Sequence, residues 1–82
     1  MSLHWERQEF SVGRYVYVVM DSAGHRLCYV WETNPHARQF VEILCQSPAL
    51  LPEVLGNLSP GKEVKAEAIR KILFGELKHE NC

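Results

Sequence analysis

The sequence has no apolar run approaching the roughly 20 residues that cross a bilayer as a helix. It has no basic start leading into an apolar stretch of the kind that directs export. These absences point to a cytoplasmic protein with no membrane partner. There are only three cysteines, Cys28, Cys45 and Cys82, an odd set at no framework spacing. That argues against a disulfide-stapled fold and for reduced thiols, with Cys28 and Cys45 as small core residues and Cys82 as a loose terminal thiol. Charge of one sign is also lacking: 9 Lys and Arg stand against 10 Asp and Glu, a net charge of −1. A general polyanion binder would be basic. There are no internal repeats and no low-complexity linker, and the 82 residues are expected to form a single small domain, 1–82.

What the chain does have is an apolar hairpin. Phe10 to Met20 reads FSVGRYVYVVM and His25 to Glu32 reads HRLCYVWE, rich in the aromatic and β-branched residues that suit a pleated surface. Between them Asp21-Ser22-Ala23-Gly24 is turn chemistry. Strand residues alternate faces, and the register that joins the two most apolar faces sets Met20 against Leu27, Val18 against Tyr29 and Val16 against Trp31. The expected core face is then Phe10, Val12, Val16, Val18, Met20, Leu27, Tyr29 and Trp31. The opposite face, Tyr15, Tyr17, Val19, Cys28 and Val30, is also apolar and needs a cover. Met1 to Glu9 either extends the first strand or forms an edge strand of its own.

Helical patterns follow. Asn34-Pro35 reads as an N-cap and first-turn proline, and Ala37, Phe40, Val41, Leu44 and Cys45 fall on one helical face. Ser47-Pro48 ends that helix, and Leu50 to Leu55, interrupted by Pro52, predicts one or two short helical turns ending at Gly56-Asn57. Ser59-Pro60 starts a final helix expected to reach about His79, with Val64, Ala68, Ile69, Ile72, Leu73 and Leu77 as its apolar stripe. The fold class is therefore α+β: an antiparallel β-hairpin of two to three strands, packed against two main helices plus a short helical turn. The helices cover one sheet face and leave Tyr15, Tyr17, Val19, Cys28 and Val30 for a partner.

The residues offer three candidate chemistries. His25 and Cys28, and again His79 and Cys82, stand three apart, a spacing that lets each pair reach one Zn²⁺. Strand positions three apart face opposite sides, however, so surface histidines and core or terminal thiols are the plainer reading and no metal or cofactor is assigned. Cys28 or Cys45 with His36 would make a nucleophile and base. No orienting acid and no glycine-rich oxyanion turn accompanies either cysteine, and no catalytic residue is assigned. Arg14, Tyr15, Tyr17 and Arg26 on an open sheet could stack bases and meet phosphates, against which stands the slightly acidic net charge.

Tyr15-Val16-Tyr17, a short turn, Tyr29-Val30, Thr33 and the helix residue Arg38 resemble the opening of the GIY-YIG nucleases. The resemblance covers about thirty residues. It implies a tyrosine-bearing hairpin and an arginine assisting phosphodiester cleavage, at Tyr15, Tyr29 and Arg38. Trp31 stands where the second tripeptide has glycine, and Ile43 where many members carry histidine. The residues taken together lead to a non-enzymatic interaction or regulatory module that self-associates as a homodimer, or binds another protein, through the Tyr15/Tyr17/Val19/Cys28/Val30 face. A single-stranded nucleic-acid-binding module and a degenerate nuclease-like domain are the alternatives.

Overall fold

The computed structural model describes residues 2–56 and 62–75. Strands β1 (Leu3–Ser11), β2 (Arg14–Asp21) and β3 (Arg26–Trp31) form a three-stranded antiparallel sheet in the order β1-β2-β3. The ribbon from Phe10 to Met20 is not one strand. It breaks at Val12-Gly13, where Gly13 has φ 75°, a conformation glycine reaches without a Cβ clash. The chain doubles back there, and Leu3–Ser11 becomes the edge strand. At the next turn the Asp21 carboxylate accepts the N–H groups of Ala23 and His25, each at 2.9 Å, and Gly24 supplies φ 87°.

The β2–β3 register sets Val16 against Trp31 and Val18 against Tyr29, as the hydrophobic pattern predicts. Met20 pairs with Arg26 rather than Leu27, because the ladder is irregular between Val19 and Met20. That extra residue lets Leu27 pack beside Cys28 in the main core instead of joining Met20.

After β3 come α1 (Ala37–Gln46), a 3-10 turn (Pro48–Leu50), α2 (Leu51–Leu55) and α3 (Ala66–Phe74). The Asn34 side chain accepts the His36 N–H at 2.8 Å, capping the turn that leads into α1. α3 starts later than the Ser59-Pro60 signal predicts, and that signal, like the stretch from Glu76 to His79, lies outside the described residues. Instead, the backbone from 62 to 64 bridges the outer edge of β3: the Tyr29 N–H donates to the Lys62 carbonyl at 3.0 Å and the Val64 N–H to the Tyr29 carbonyl at 2.9 Å. At its other end α3 stops on Gly75, at φ 60°. The architecture is α+β, a three-stranded antiparallel sheet packed against two main helices and a short one.

The helices cover the face opposite to the one expected. The main core joins Leu3, Val19, Cys28 and Val30 of the sheet to Phe40, Val41 and Leu44 of α1, Leu51 and Val54 of α2, and Ala68 and Ile69 of α3. Completely burying side chains such as Phe40, Leu44 and Ile69 stabilises the fold by about 1.5–3 kcal/mol each. The physical reason for the inversion lies in β1. Leu3 and Trp5 extend the Val19 face, since Trp5 sits opposite Val19, whereas His4, Glu6 and Gln8 sit opposite Met20, Val18 and Val16. β1 thus adds apolar surface to one face and polar surface to the other, and the helices take the apolar one.

Candidate functional site

The face proposed from the sequence as a partner surface is therefore largely the helix-covered core. Val19, Cys28 and Val30 are buried there. Tyr17 is half-buried, edge-on to Trp5 with ring centroids 5.1 Å apart, and its hydroxyl lies 3.4 Å from the Glu32 carboxylate. Tyr15 lies beneath the Arg7 guanidinium, 3.7 Å from the ring centroid. Arg7 also forks onto Glu32, through Nε to one oxygen and through Nη2 to the other at 3.2 Å. The hydrogen bond from Arg7 holds the Glu32 carboxyl below its ordinary range. These five residues offer no continuous open surface, because the cover they needed comes from α1 and from the side chains of β1.

The open face is the other one. Val16, Val18 and Met20 form a small cluster of their own, with Tyr29 and Trp31 against it. Phe10 closes over it, 4.8 Å from the Trp31 ring and 5.8 Å from the Tyr29 ring. The Arg14 guanidinium stacks on the far side of this group, 4.8 Å from the Trp31 ring centroid. Phe10 remains 55% exposed and Val12, at the hairpin tip, 95% exposed. Nothing polar holds Val12 at that tip, so its apolar side chain projects into solvent beside Phe10. No described helix lies among the residues packed on this cluster.

A groove of 480 Å³ runs across the same face. Val16 and Val18 form its floor and Phe10 and Tyr29 its aromatic sides; Gln8 and Glu9 line the β1 rim, Arg26 and Lys62 the β3 rim. The Lys62 ammonium is tethered to the Arg26 carbonyl at 3.0 Å, and Lys62 itself adopts φ 71°, a backbone conformation that carries strain in a residue with a Cβ.

The other expected constellations are not assembled. His25 is at the exposed turn with its Nδ1 3.0 Å from Asp21, while Cys28 is buried in the main core, so the two do not converge; His79 and Cys82 lie outside the described residues. Among the described residues no group of three or more His, Cys, Asp or Glu could hold a metal. Burial pushes the Cys28 thiol up to about 12 and raises the Cys45 thiol as well, which keeps both protonated and poorly nucleophilic. His36 is edge-on to Phe74, 5.1 Å between centroids. Of the residues that the nuclease resemblance implies, Tyr29 shares the open face with Val18, Tyr15 lies on the opposite face with Tyr17, and Arg38 pairs with Glu42 on α1 at 3.3 Å. Of the suggested base-stacking set, Arg14 and Arg26 border the open face while Tyr15 and Tyr17 do not.

Alternation alone puts Phe10, Val12, Tyr29 and Trp31 in the core, whereas Phe10 and Val12 are exposed. The dipeptide Val12-Gly13 was the available signal, since a glycine between two alternating runs marks a two-residue hairpin as readily as a strand interior. Comparison with known proteins finds no family model, no curated protein and no solved structure that matches the chain.

Proposed function

We propose that this protein is a non-enzymatic cytoplasmic interaction module that self-associates through the open face of its sheet. The observation that carries the reading is the aromatic surface of Phe10, Tyr29 and Trp31, continued by the bare Val12 tip, on a sheet whose opposite face already has its helices. A contiguous apolar surface on a soluble domain is a contact surface by default. Aromatic residues ringed by long polar side chains also match the anatomy of protein interfaces, where Tyr, Trp, Phe and Arg are enriched. A second copy is the simplest occupant, since two-fold dimers are the commonest assemblies.

Light scattering on the purified protein across a concentration series tests this. The wild type is expected to reach the mass of two or more copies, and Phe10→Ser/Val12→Ser to stay monomeric with unchanged circular dichroism. A wild type that remains monomeric at millimolar concentration refutes self-association.

A further inference from the structure

The open face is electrically lopsided, and that polarity specifies how a second copy would lie on it. The inference rests on the self-association reading just given. Along β1 the face presents Glu6, opposite Val18, whereas Glu9, opposite Tyr15, belongs to the other face. Along the other side it presents Arg26 and Lys62. The remaining acid on that side, Glu63, is paired with Lys65 at 3.6 Å. All three residues, Glu6, Arg26 and Lys62, are exposed. The aromatic and aliphatic strip of Phe10, Val16, Val18 and Tyr29 runs between the two rims.

Two copies can meet face to face about a two-fold axis lying between the sheets in either of two directions. An axis across the strands places β1 over β1 of the second copy and β3 over β3, so acid faces acid and base faces base. An axis along the strands places β1 of each copy over β3 of the other, so acid faces base on both sides while the apolar strips meet in the middle. We infer that the protein pairs with a second copy of itself about an axis along the strands, Glu6 of each copy facing Arg26 and Lys62 of the other. The apolar strip supplies affinity, and the charged rims choose this arrangement and exclude the one that sets β1 over β1, which is what complementary charge does at interfaces.

The test is a charge exchange. One variant carries Glu6→Lys, making both rims basic; the other carries Arg26→Glu and Lys62→Glu, making both acidic. Each alone is expected to self-associate at least about tenfold more weakly than wild type, because like charges now face each other on both sides. An equimolar mixture is expected to restore the wild-type mass, since every contact in the mixed pair again joins acid to base. Circular dichroism of each variant checks that the fold is kept. If wild type is dimeric and Phe10→Ser/Val12→Ser is monomeric, but both charge variants dimerise alone at wild-type strength, the axis along the strands is wrong while the face reading stands. If wild type is monomeric, the face reading itself fails. If a monomeric wild type instead binds a single-stranded oligonucleotide, and that binding is lost with Arg26→Glu/Lys62→Glu and strengthened with Glu6→Lys, the basic rim serves phosphate and the self-pairing proposal is overturned.

Discussion

Two phenylalanines separate the two sides of this sheet energetically. Phe40 on α1 is completely buried in the main core, whereas Phe10 lies on the open face and is 55% exposed. Phe40→Ala removes a fully buried ring and leaves a cavity among Val19, Val30 and Leu44, a change that costs about 3–5 kcal/mol. Phe10→Ala can lose less than half of a phenylalanine's burial, so in a dilute monomer it costs only about 1 kcal/mol. An 82-residue domain has a total stability of about 4–12 kcal/mol at the usual per-residue value. Phe40→Ala therefore brings the fold to the edge of collapse and Phe10→Ala leaves it intact. In thermal terms the first lowers Tm by at least about 12 °C and the second by about 4–8 °C. Urea unfolding at low micromolar concentration measures both. Trp5 and Trp31 act as fluorescent reporters on the two sides of the sheet, since Trp5 packs against the helix-covered core and Trp31 against the open-face cluster. Raising the protein concentration adds a second reading. Self-association stabilises the folded state by mass action, so the wild-type midpoint climbs with concentration while that of Phe10→Ala does not. Equal losses from Phe10→Ala and Phe40→Ala in dilute protein would refute the reasoning, because the open face would then be a core in its own right.

Thiol reactivity and acid unfolding provide further checks. In a Cys82→Ser background at pH 8, Cys28 is expected to resist a disulfide reagent in native protein and to react at once in denaturant, because burial pushes its thiol up to about 12; half-buried Cys45 reacts slowly but measurably, and fast native labelling of Cys28 would contradict its placement. Glu32 is held below its ordinary 4.5 by the hydrogen bond from Arg7, and Asp21 below 3.8 by the backbone hydrogen bond from His25. Both carboxylates are favoured in the folded state, so their contribution is present above those values and is lost as pH falls below them. Denaturant midpoints measured from pH 6 to pH 2 should fall, and Arg7→Gln should flatten the fall below 4.5; an unchanged slope in that variant would remove the Arg7–Glu32 pair as its cause.

The element order, the strand pairs Val16–Trp31 and Val18–Tyr29, the Asp21 turn and the helical face of Phe40, Val41 and Leu44 were all legible in the sequence. Each is local: turn chemistry, alternation, or a helical spacing. The choice of covered face was not legible from the hairpin, because both of its faces are apolar and alternation distinguishes them only when one is polar. The deciding information lay in β1, whose Leu3 and Trp5 fall on one face and His4, Glu6 and Gln8 on the other. Gly13, inside an otherwise alternating run, masks that information, because it makes the turn that sets Phe10 and Val16 on different strands. The start of α3 was misread for a different reason. Residues 62–64 are not helical because they bond to both backbone groups of Tyr29, a long-range pairing that local propensity does not encode.

That pairing bears on what each edge of the sheet can do. Lys62 and Val64 close part of the outer edge of β3 with backbone hydrogen bonds and, in doing so, set the Lys62 side chain on the groove rim beside Arg26. The opposite rim is supplied by β1, which presents Glu6 and Gln8 to this face. The same two features that finish the sheet therefore give its open face a basic side and a side that carries an acid. A sheet designed only to be shielded from water would place polar residues evenly over Val16, Val18 and Met20. Here the shield is aromatic, with Glu6 at one margin and Arg26 and Lys62 at the other, a distribution suited to a surface that distinguishes one orientation of its partner from another.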